Sequence, residues 1–449
     1  MVGGALRISV LGAGYLGAIH ATCMAHLGHD VVAFDIDCDK VAMLAKGDPP
    51  FYEPGFDQLL KTTLATGRLR FTDSACEAIQ GAEVHFICVG TPQQQGAEAA
   101  DLSYVDSAFE EILANMNRPS VIVGKSTVPV GTAQRLADAT QRRGVNDSVE
   151  VAWNPEFLRE GTAIEDTLRP DRLVFGVETE ACESVLKEVY ASLISDGVSF
   201  VTTDLATAEM VKVAANSFLA TKISFINAMA EICEVANADV VTLSRALGYD
   251  ERIGRRFLQA GLGFGGGCLP KDIRAFSARA GELGAADAVS FLREVDKINL
   301  RRRERVVSLV GSILAGDFLG KRVAVLGAAF KPNSDDVRDS PALNVAATMH
   351  LKGALVRVHD PQAIHKAREV FPTLDYRDTI VDACQDAHVV VLATEWNEYR
   401  NLNPAELSEV VCNPILVDAR NALDHEYWRE SGWDIYALGR GNLRQRVNH

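Results

Sequence analysis

Two kinds of apolar pattern alternate along the chain and divide it into three stretches. In the first stretch, short apolar runs of strand length each end on small polar, glycine or acidic residues. Arg7 to Leu11 runs into Gly12-Ala13-Gly14-Tyr15-Leu16-Gly17, and Asp30 to Phe34 ends at Asp35. Val84 to Val89 leads to Gly90-Thr91-Pro92, and Val121 to Gly124 leads to Lys125-Ser126-Thr127-Val128-Pro129. Val149 to Trp153 delivers Asn154-Pro155-Glu156-Phe157-Leu158-Arg159-Glu160-Gly161. The second stretch differs: from Leu205 to about Ala238 the chain is apolar nearly all round, which predicts a long buried helix. At Lys321 the short runs return as Arg322 to Leu326, Val356 to His359 and Ile415 to Val417. Among them, Asp386 to Thr394 echoes Gly81 to Thr91, a weak internal repeat.

These runs predict an α/β chain: two Rossmann-like doubly wound parallel-sheet domains joined by a central long-helix region, over residues 1–200, 201–305 and 306–449. In the first domain, Gly12, Gly14 and Gly17 allow a tight turn, close approach of a pyrophosphate and packing of a helix on the strand. Asp35 ends the next strand, where an acid hydrogen-bonds a ribose 2′-OH and repels a 2′-phosphate. The pattern points to NAD rather than NADP, with Lys40 as a weaker opposing signal. Thr91 and Thr127 stand at carboxyl ends of strands, which line the ligand crevice of such a sheet. The later domain has a degraded turn, Gly327-Ala328-Ala329-Phe330, and binds another nucleotide or none. Lys331, Arg338 and Arg420 at its strand ends suit a diphosphate.

Composition narrows the class. The 449 residues are 47% apolar, enough for ordinary cores, and the length suggests about three domains. A net charge of −15 argues against a nucleic-acid partner and leaves any anionic ligand to local basic groups. Glu209, Lys212, Lys222 and Glu231 interrupt the long apolar stretch, so no membrane span is expected. Nothing at the N-terminus resembles a signal peptide. Nine cysteines, an odd number without clustered spacing, point to a reducing compartment and hence the cytoplasm. No Cys/His pair has zinc-ligand spacing, so no metal is expected.

One cysteine stands apart. Cys268 ends the run Gly261-Leu262-Gly263-Phe264-Gly265-Gly266-Gly267, and Pro270, suited to a first helical position, follows with Lys271 and Asp272. A thiol just ahead of a helix N-terminus has its thiolate favoured, which marks Cys268 as a nucleophile. Lys212 and Asn216 are spaced i, i+4 and share one face of the long helix. A buried lysine there needs a partner: an ion pair with a residue such as Glu209 and an oxyanion clamp fit the spacing equally. Glu156 and Glu160, taken alone, read as a solvated helix start. Arg252, Arg255 and Arg256 form a basic loop ahead of the glycines, and Arg301, Arg302, Arg303 and Arg305 read as the polar end of a connecting helix without chemistry.

Together these segments resemble the UDP-glucose/GDP-mannose dehydrogenase family over essentially the whole chain. The resemblance rests on the 12–17 turn, Ser126 to Thr132, Asn154 to Gly161, Pro170-Asp171-Arg172, Lys212 to Asn216, Gly263 to Asp272, and Phe330-Lys331-Pro332 with Asp335-Asp336-Val337-Arg338. Gly267 and Ala419 depart from it, where serine and glycine are usual. It implies two successive NAD-dependent oxidations at C6 of a nucleotide-hexose, through a thiohemiacetal and a thioester on Cys268. UDP-glucose is the first choice of substrate, ahead of dTDP-glucose, GDP-mannose and UDP-N-acetylhexosamines. By resemblance, Lys212 and Asn216 stabilise the C6 oxyanion, Asp272 acts with water in proton transfer, and Glu156 with Thr127 serves thioester hydrolysis. Gly12, Gly14, Tyr15, Leu16, Gly17, Asp35, Lys40, Thr91, Thr127, Glu160, Lys271 and Arg338 would touch NAD. Glu156, Phe157, Leu158, Lys212, Asn216, Phe264, Gly265, Lys331 and Arg420 would hold the substrate. Arg252 would reach it from the partner chain of a homodimer formed through the central helix.

Overall fold

The computed structural model describes residues 4–145 and 148–441. They fall into two compact units: one runs to Ala215 and resumes over Ala275–Ala285, and the other comprises Asn216–Arg274 and the chain from Ala286 onward.

The first unit is built on an eight-stranded sheet. Its strands are β1 (Arg7–Leu11), β2 (Asp30–Phe34), β3 (Leu69–Thr72), β4 (Val84–Ile87), β5 (Ser120–Gly124), β6 (Val149–Trp153), β7 (Leu173–Gly176) and β8 (Phe200–Thr203), in the order β3-β2-β1-β4-β5-β6-β7-β8. Along the central strands, alternate side chains enter two different cores. Ile8, Val10, Val84 and Phe86 pack with Ala18 and Ile19 of the helix Tyr15–His26. Leu11, Ile87 and Ile122 pack with Phe109 of the helix Ser103–Asn115 and Leu136 of the helix Thr132–Arg142. Both faces are covered, which is why these strands read as nearly continuous apolar runs, with Ser9 and His85 as buried exceptions bonded to each other at 2.7 Å.

One feature departs from the all-parallel expectation. β3 through β6 are parallel, but β7 meets β6 antiparallel at Trp153 and Gly176, and β8 then runs parallel to β7. Between β6 and β7 the chain forms only the six-residue helix Ala163–Leu168, so no long crossover helix returns it to a parallel start.

The second unit carries a six-stranded parallel sheet: β9 (Arg322–Leu326), β10 (Leu355–His359), β11 (Asp375–Tyr376), β12 (Val389–Leu392), β13 (Ile415–Asp418) and β14 (Asp434–Ala437). Its order, β11-β10-β9-β12-β13-β14, repeats that of β3-β2-β1-β4-β5-β6. The weak internal repeat is therefore a repeat of topology.

The long apolar stretch is one 32-residue helix, Leu205–Ala236. It is not buried all round by its own chain. Ile226, Ala230 and Cys233 pack against Val240, Leu258 and Ala260. Ala214, Phe218, Thr221, Phe225, Ala228, Ile232 and Val235, spaced alternately four and three, are instead exposed or half-buried, with Phe218 at 66% and Val235 at 89%. That spacing is the a/d seam of a coiled coil, which the chain itself leaves uncovered. Among the described residues no helix is long and apolar enough to cross a membrane.

Candidate active site

In the first unit, the turn after β1 is shaped to admit a ligand. Gly12 has φ +94°, and a Cβ there would lie 2.9 Å from Val89; one at Gly17 would lie 1.7 Å from the Gly12 carbonyl oxygen. At Gly14 a Cβ would meet nothing within 4 Å, and no side chain caps the helix Tyr15–His26 that follows. An open glycine before uncapped helical N–H groups fits a pyrophosphate. Asp35 accepts from the Ala13 N–H at 2.8 Å and pairs with Lys40 at 3.1 Å. Lys40 thus sets a positive charge against the acid that follows β2. The Thr91 hydroxyl donates to the Thr127 carbonyl at 2.8 Å and ties the ends of β4 and β5 together.

Beyond β6, Asn154 to Glu160 is irregular, and Glu156 and Glu160 are not a helix start. Glu156 accepts from the Leu158 N–H at 2.6 Å and pairs with Lys212 at 2.9 Å, a lysine only 6% exposed. The Arg172 guanidinium lies 3.7 Å over the Phe157 ring, with the Lys212 ammonium 5.6 Å from it. Glu209, one ion-pair partner that the spacing allowed Lys212, turns elsewhere. Its two carboxylate oxygens accept from the Gly131 and Ala133 N–H groups at 2.6 Å each, at the start of the helix Thr132–Arg142. Burial pushes its carboxyl up to about 7 against those N–H groups and Arg279. Lys125, which sequence reasoning passed over, is buried at the end of β5 and donates to Asn154 at 3.0 Å. Burial pushes its ammonium down to about 8, and the charge of Glu156 opposes that shift.

In the second unit, Cys268 is exposed and immediately precedes the helix Leu269–Glu282, its carbonyl accepting from the Asp272 N–H at 2.9 Å. Pro270 occupies the second helical position rather than the first. Asp272 is buried, accepts from Asn216 at 2.7 Å and pairs with Lys271 at 2.8 Å. Asn216 is thereby held by the helix that follows the thiol.

The glycines before Cys268 serve different needs. Gly263 has φ +99° and lies against Asn299, while a Cβ at Gly265 would strike the Asp339 carbonyl at 2.3 Å. Asn299 brackets Phe264, accepting from its N–H at 2.7 Å and donating to its carbonyl at 2.9 Å. Arg302 and Arg303 are not a solvated helix end. They are buried, Arg302 donating to the Gly261 carbonyl and Arg303 to the Phe264 carbonyl, both at 3.3 Å. Arg303 also pairs with Asp339 at 2.8 Å, and Arg302 lies near Glu231 and Glu234. Four arginines within five positions hid this, because a helix turns about 100° per residue and puts Arg302 and Arg303 on its buried side with Arg301 and Arg305 nearer to solvent.

Arg420 donates to the carbonyls of Ala393, Gly263 and Phe330 and lies 3.4 Å from Glu395, so it braces the glycine loop. Arg338 is paired with Asp336 at 2.8 Å. Burial pushes the Asp336 carboxyl up, but Arg338 and the nearby N–H groups outweigh it and hold it below the ordinary range. The Lys331 ammonium lies 5.4 Å from the Phe330 ring. The Arg252 side chain is 89% exposed beside Asp250.

Three domains of one family account for most of the chain. The NAD binding domain of the UDP-glucose/GDP-mannose dehydrogenase family matches residues 6–194, its central domain 206–301 and its UDP binding domain 324–425. The chain belongs to this family. It is an NAD-dependent oxidoreductase, and NAD is its cofactor. A UDP-glucose 6-dehydrogenase of Rickettsia conorii is 42% identical over 436 residues, covering 97% of this chain and 99% of the relative. The structure of a UDP-glucose dehydrogenase from Pyrobaculum islandicum has a TM-score of 0.89 at 38% identity, covering 98% of each chain. A UDP-D-ManNAc dehydrogenase from Pyrococcus horikoshii has a TM-score of 0.84 at 27% identity, covering 97% of this chain and 100% of that one. In this family's terms, the open turn at Gly14 belongs to the NAD binding domain, and Arg338 and Arg420 fall within the UDP binding domain.

Proposed function

We propose that this chain converts UDP-glucose to UDP-glucuronate by two oxidations at C6 through covalent intermediates on Cys268. The observation that carries the reading is the exposed thiol of Cys268 at a helix start, one turn before a buried Asp272 bonded to Asn216 and Lys271. NAD, when bound, accepts one hydride in each oxidation. The hydroxyl proton passes through water to Asp272 as the C6 aldehyde forms. Cys268 adds to the aldehyde carbon, because an aldehyde has no C–O–H left to oxidise until a nucleophile adds. Lys212 and Asn216 stabilise the resulting oxyanion, loss of the second hydride leaves a thioester, and water, directed by Glu156 and Thr127, releases the acid and the thiol. The balance is one water and two NAD consumed per sugar. Glu156 is held for that last step by Lys212, 2.9 Å away.

In this reading residues 1–200 hold NAD, with Asp35 on the ribose and Glu160, Lys271 and Arg338 among its contacts. Residues 306–449 hold the nucleotide through Lys331 and Arg420, with Phe264 and Gly265 under the sugar. Residues 201–305 form a homodimer, the uncovered seam of the long helix meeting its counterpart and Arg252 entering the partner's site. Thiol cysteines throughout support a cytoplasmic location.

An NADH-production screen over UDP-glucose, dTDP-glucose, GDP-mannose and UDP-N-acetylhexosamines tests the substrate. The expected result is UDP-glucose preferred, at two NADH per sugar. One NADH per sugar would return the chain to the two-electron dehydrogenases, and no reduction with any sugar would leave a nucleotide-binding protein without this chemistry. Cys268→Ala should make no acid while binding NAD and nucleotide sugar as before. Mixing and reassembling Arg252→Ala with Cys268→Ala chains should restore about a quarter of wild-type activity if Arg252 acts across a two-fold interface, and none if it acts within its own chain.

A further inference from the structure

We propose that Glu53, outside the nucleotide turn and outside every strand end, is a positioning residue that locks the segment carrying Glu156 and Glu160 to the start of the nucleotide-binding helix. The proposal rests on the reading above for what those two glutamates do. Glu53 lies just ahead of the helix Phe56–Ala65 and is 5% exposed. A buried carboxylate needs donors, and this one draws them from two segments far away in sequence. One oxygen accepts from the Tyr15 hydroxyl at 2.5 Å and the Gly161 N–H at 2.6 Å; the other accepts from the Ala163 N–H at 2.7 Å.

Tyr15 is the first residue of the helix whose uncapped start faces the pyrophosphate position. Its ring packs on Phe51, 4.9 Å between centroids. Gly161, at φ +81°, ends the irregular segment after β6, and Ala163 opens a helix that its own Thr162 does not cap. Glu156 is anchored to Lys212 at one end of that segment, and Glu53 fastens the other. A helix cap alone would need only the Ala163 contact. Sharing one oxygen between Tyr15 and Gly161 couples the nucleotide turn to the glutamate-bearing segment. An amide cannot stand in, because its NH₂ would face an N–H or O–H donor where an acceptor is required.

The test compares wild type, Glu53→Gln, Tyr15→Phe and the double variant by NADH binding, amide hydrogen exchange over residues 156–168 and steady-state kinetics. In Glu53→Gln the Gly161 and Ala163 amides should exchange at least about tenfold faster, and the Kd for NADH should rise about tenfold, as expected for losing hydrogen bonds to a charged group. The nucleotide-sugar KM should rise less than the Kd for NADH, since Glu156 at the other end of the segment keeps its anchor on Lys212. Tyr15→Phe should shift NADH binding the same way by less, and should add nothing in the Glu53→Gln background. Unchanged exchange and NADH affinity in Glu53→Gln, or full additivity of the two changes, would overturn the proposal. If Glu53→Gln does not fold, Tyr15→Phe decides alone: unaltered NADH affinity overturns it. Binding and exchange need no turnover, so a wild-type protein that oxidises no nucleotide sugar would defeat the functional reading without deciding these measurements.

Discussion

The two sheets share one strand order, and each has an aspartate at the end of its second strand, yet the two aspartates live differently. Asp35 accepts from the Ala13 and Asp37 N–H groups and pairs with Lys40, and a Cβ at Gly14 beside it would meet nothing within 4 Å. Asp360 is 2% exposed and accepts from five donors: the N–H groups of Ala328, Ala329, Gln362 and Ala363, and the Trp396 indole. Thr394 donates to the Ala329 carbonyl and lies over Gly327, where a Cβ would be 2.3 Å from its hydroxyl, as Val89 lies over Gly12 in the first unit. Ala329 itself is fully buried. The same topology therefore gives an open nucleotide turn in one unit and a sealed structural turn in the other. What separates them is the third position of the turn, an open glycine at Gly14 and the buried Ala329 in its place, together with the larger set of donors that closes around Asp360.

The comparison can be broken most forcefully at Asp360. Asp360→Ala would strand five buried donors and should cost the second unit about 4 kcal/mol or more. Urea unfolding followed by tryptophan fluorescence reads this well, since Trp396, Trp428 and Trp433 all lie in that unit. A loss below about 1 kcal/mol would mean the turn is not sealed as described.

The two units also start comparable helices differently, and pH should expose it. The helix Pro341–Leu351 is capped by the neutral Ser340, which accepts from the Leu343 N–H at 3.3 Å. The helix Thr132–Arg142 takes the buried carboxylate of Glu209 instead. The folded pKa of Glu209, about 7, lies above the ordinary glutamate value of 4.5, so its contribution to stability is complete below that lower value and is lost as pH rises through 7. Wild type should therefore lose about 3 kcal/mol across that window from this group. Glu209→Gln, which resembles the protonated acid, should flatten the slope. An unchanged slope in the variant would remove Glu209 as its source.

The smallest effect is expected at Asp35. Asp35→Ala should cost only about 1 kcal/mol of stability, since its partners are fewer and nearer to water. It should raise the KM for NAD by about tenfold and narrow the preference over NADP. Equal use of both cofactors by wild type would remove Asp35 from the ribose.

Most strands were legible because each is a local apolar run bounded by turn residues. Arg7–Leu11, Asp30–Phe34, Val149–Trp153 and Arg322–Leu326 stand where periodicity put them. Cys268 was legible for the same kind of reason, since glycines and a helix start are neighbours in sequence. The partners of the site residues were not. Glu53 meets Gly161 across 108 positions, and Gly131 meets Glu209 across 78. Lys212 and Glu209 share a helix, yet one pairs with Glu156 and the other caps a helix start, a choice that no spacing along the chain expresses. Arg302 and Arg303 looked like solvent-facing charge until the glycine loop was seen lying on them.

By itself the sequence determined the kind of fold, the dinucleotide signature and the place of Cys268 at a helix start, because strand runs, glycine turns and helix starts are set by residues within a few positions of one another. The tertiary structure decided which of two similar turns stays open, which carboxylate meets Lys212, and which face of the long helix is left uncovered. Those outcomes depend on buried polar groups finding donors and acceptors, and on apolar side chains finding cover, from segments that only folding brings together.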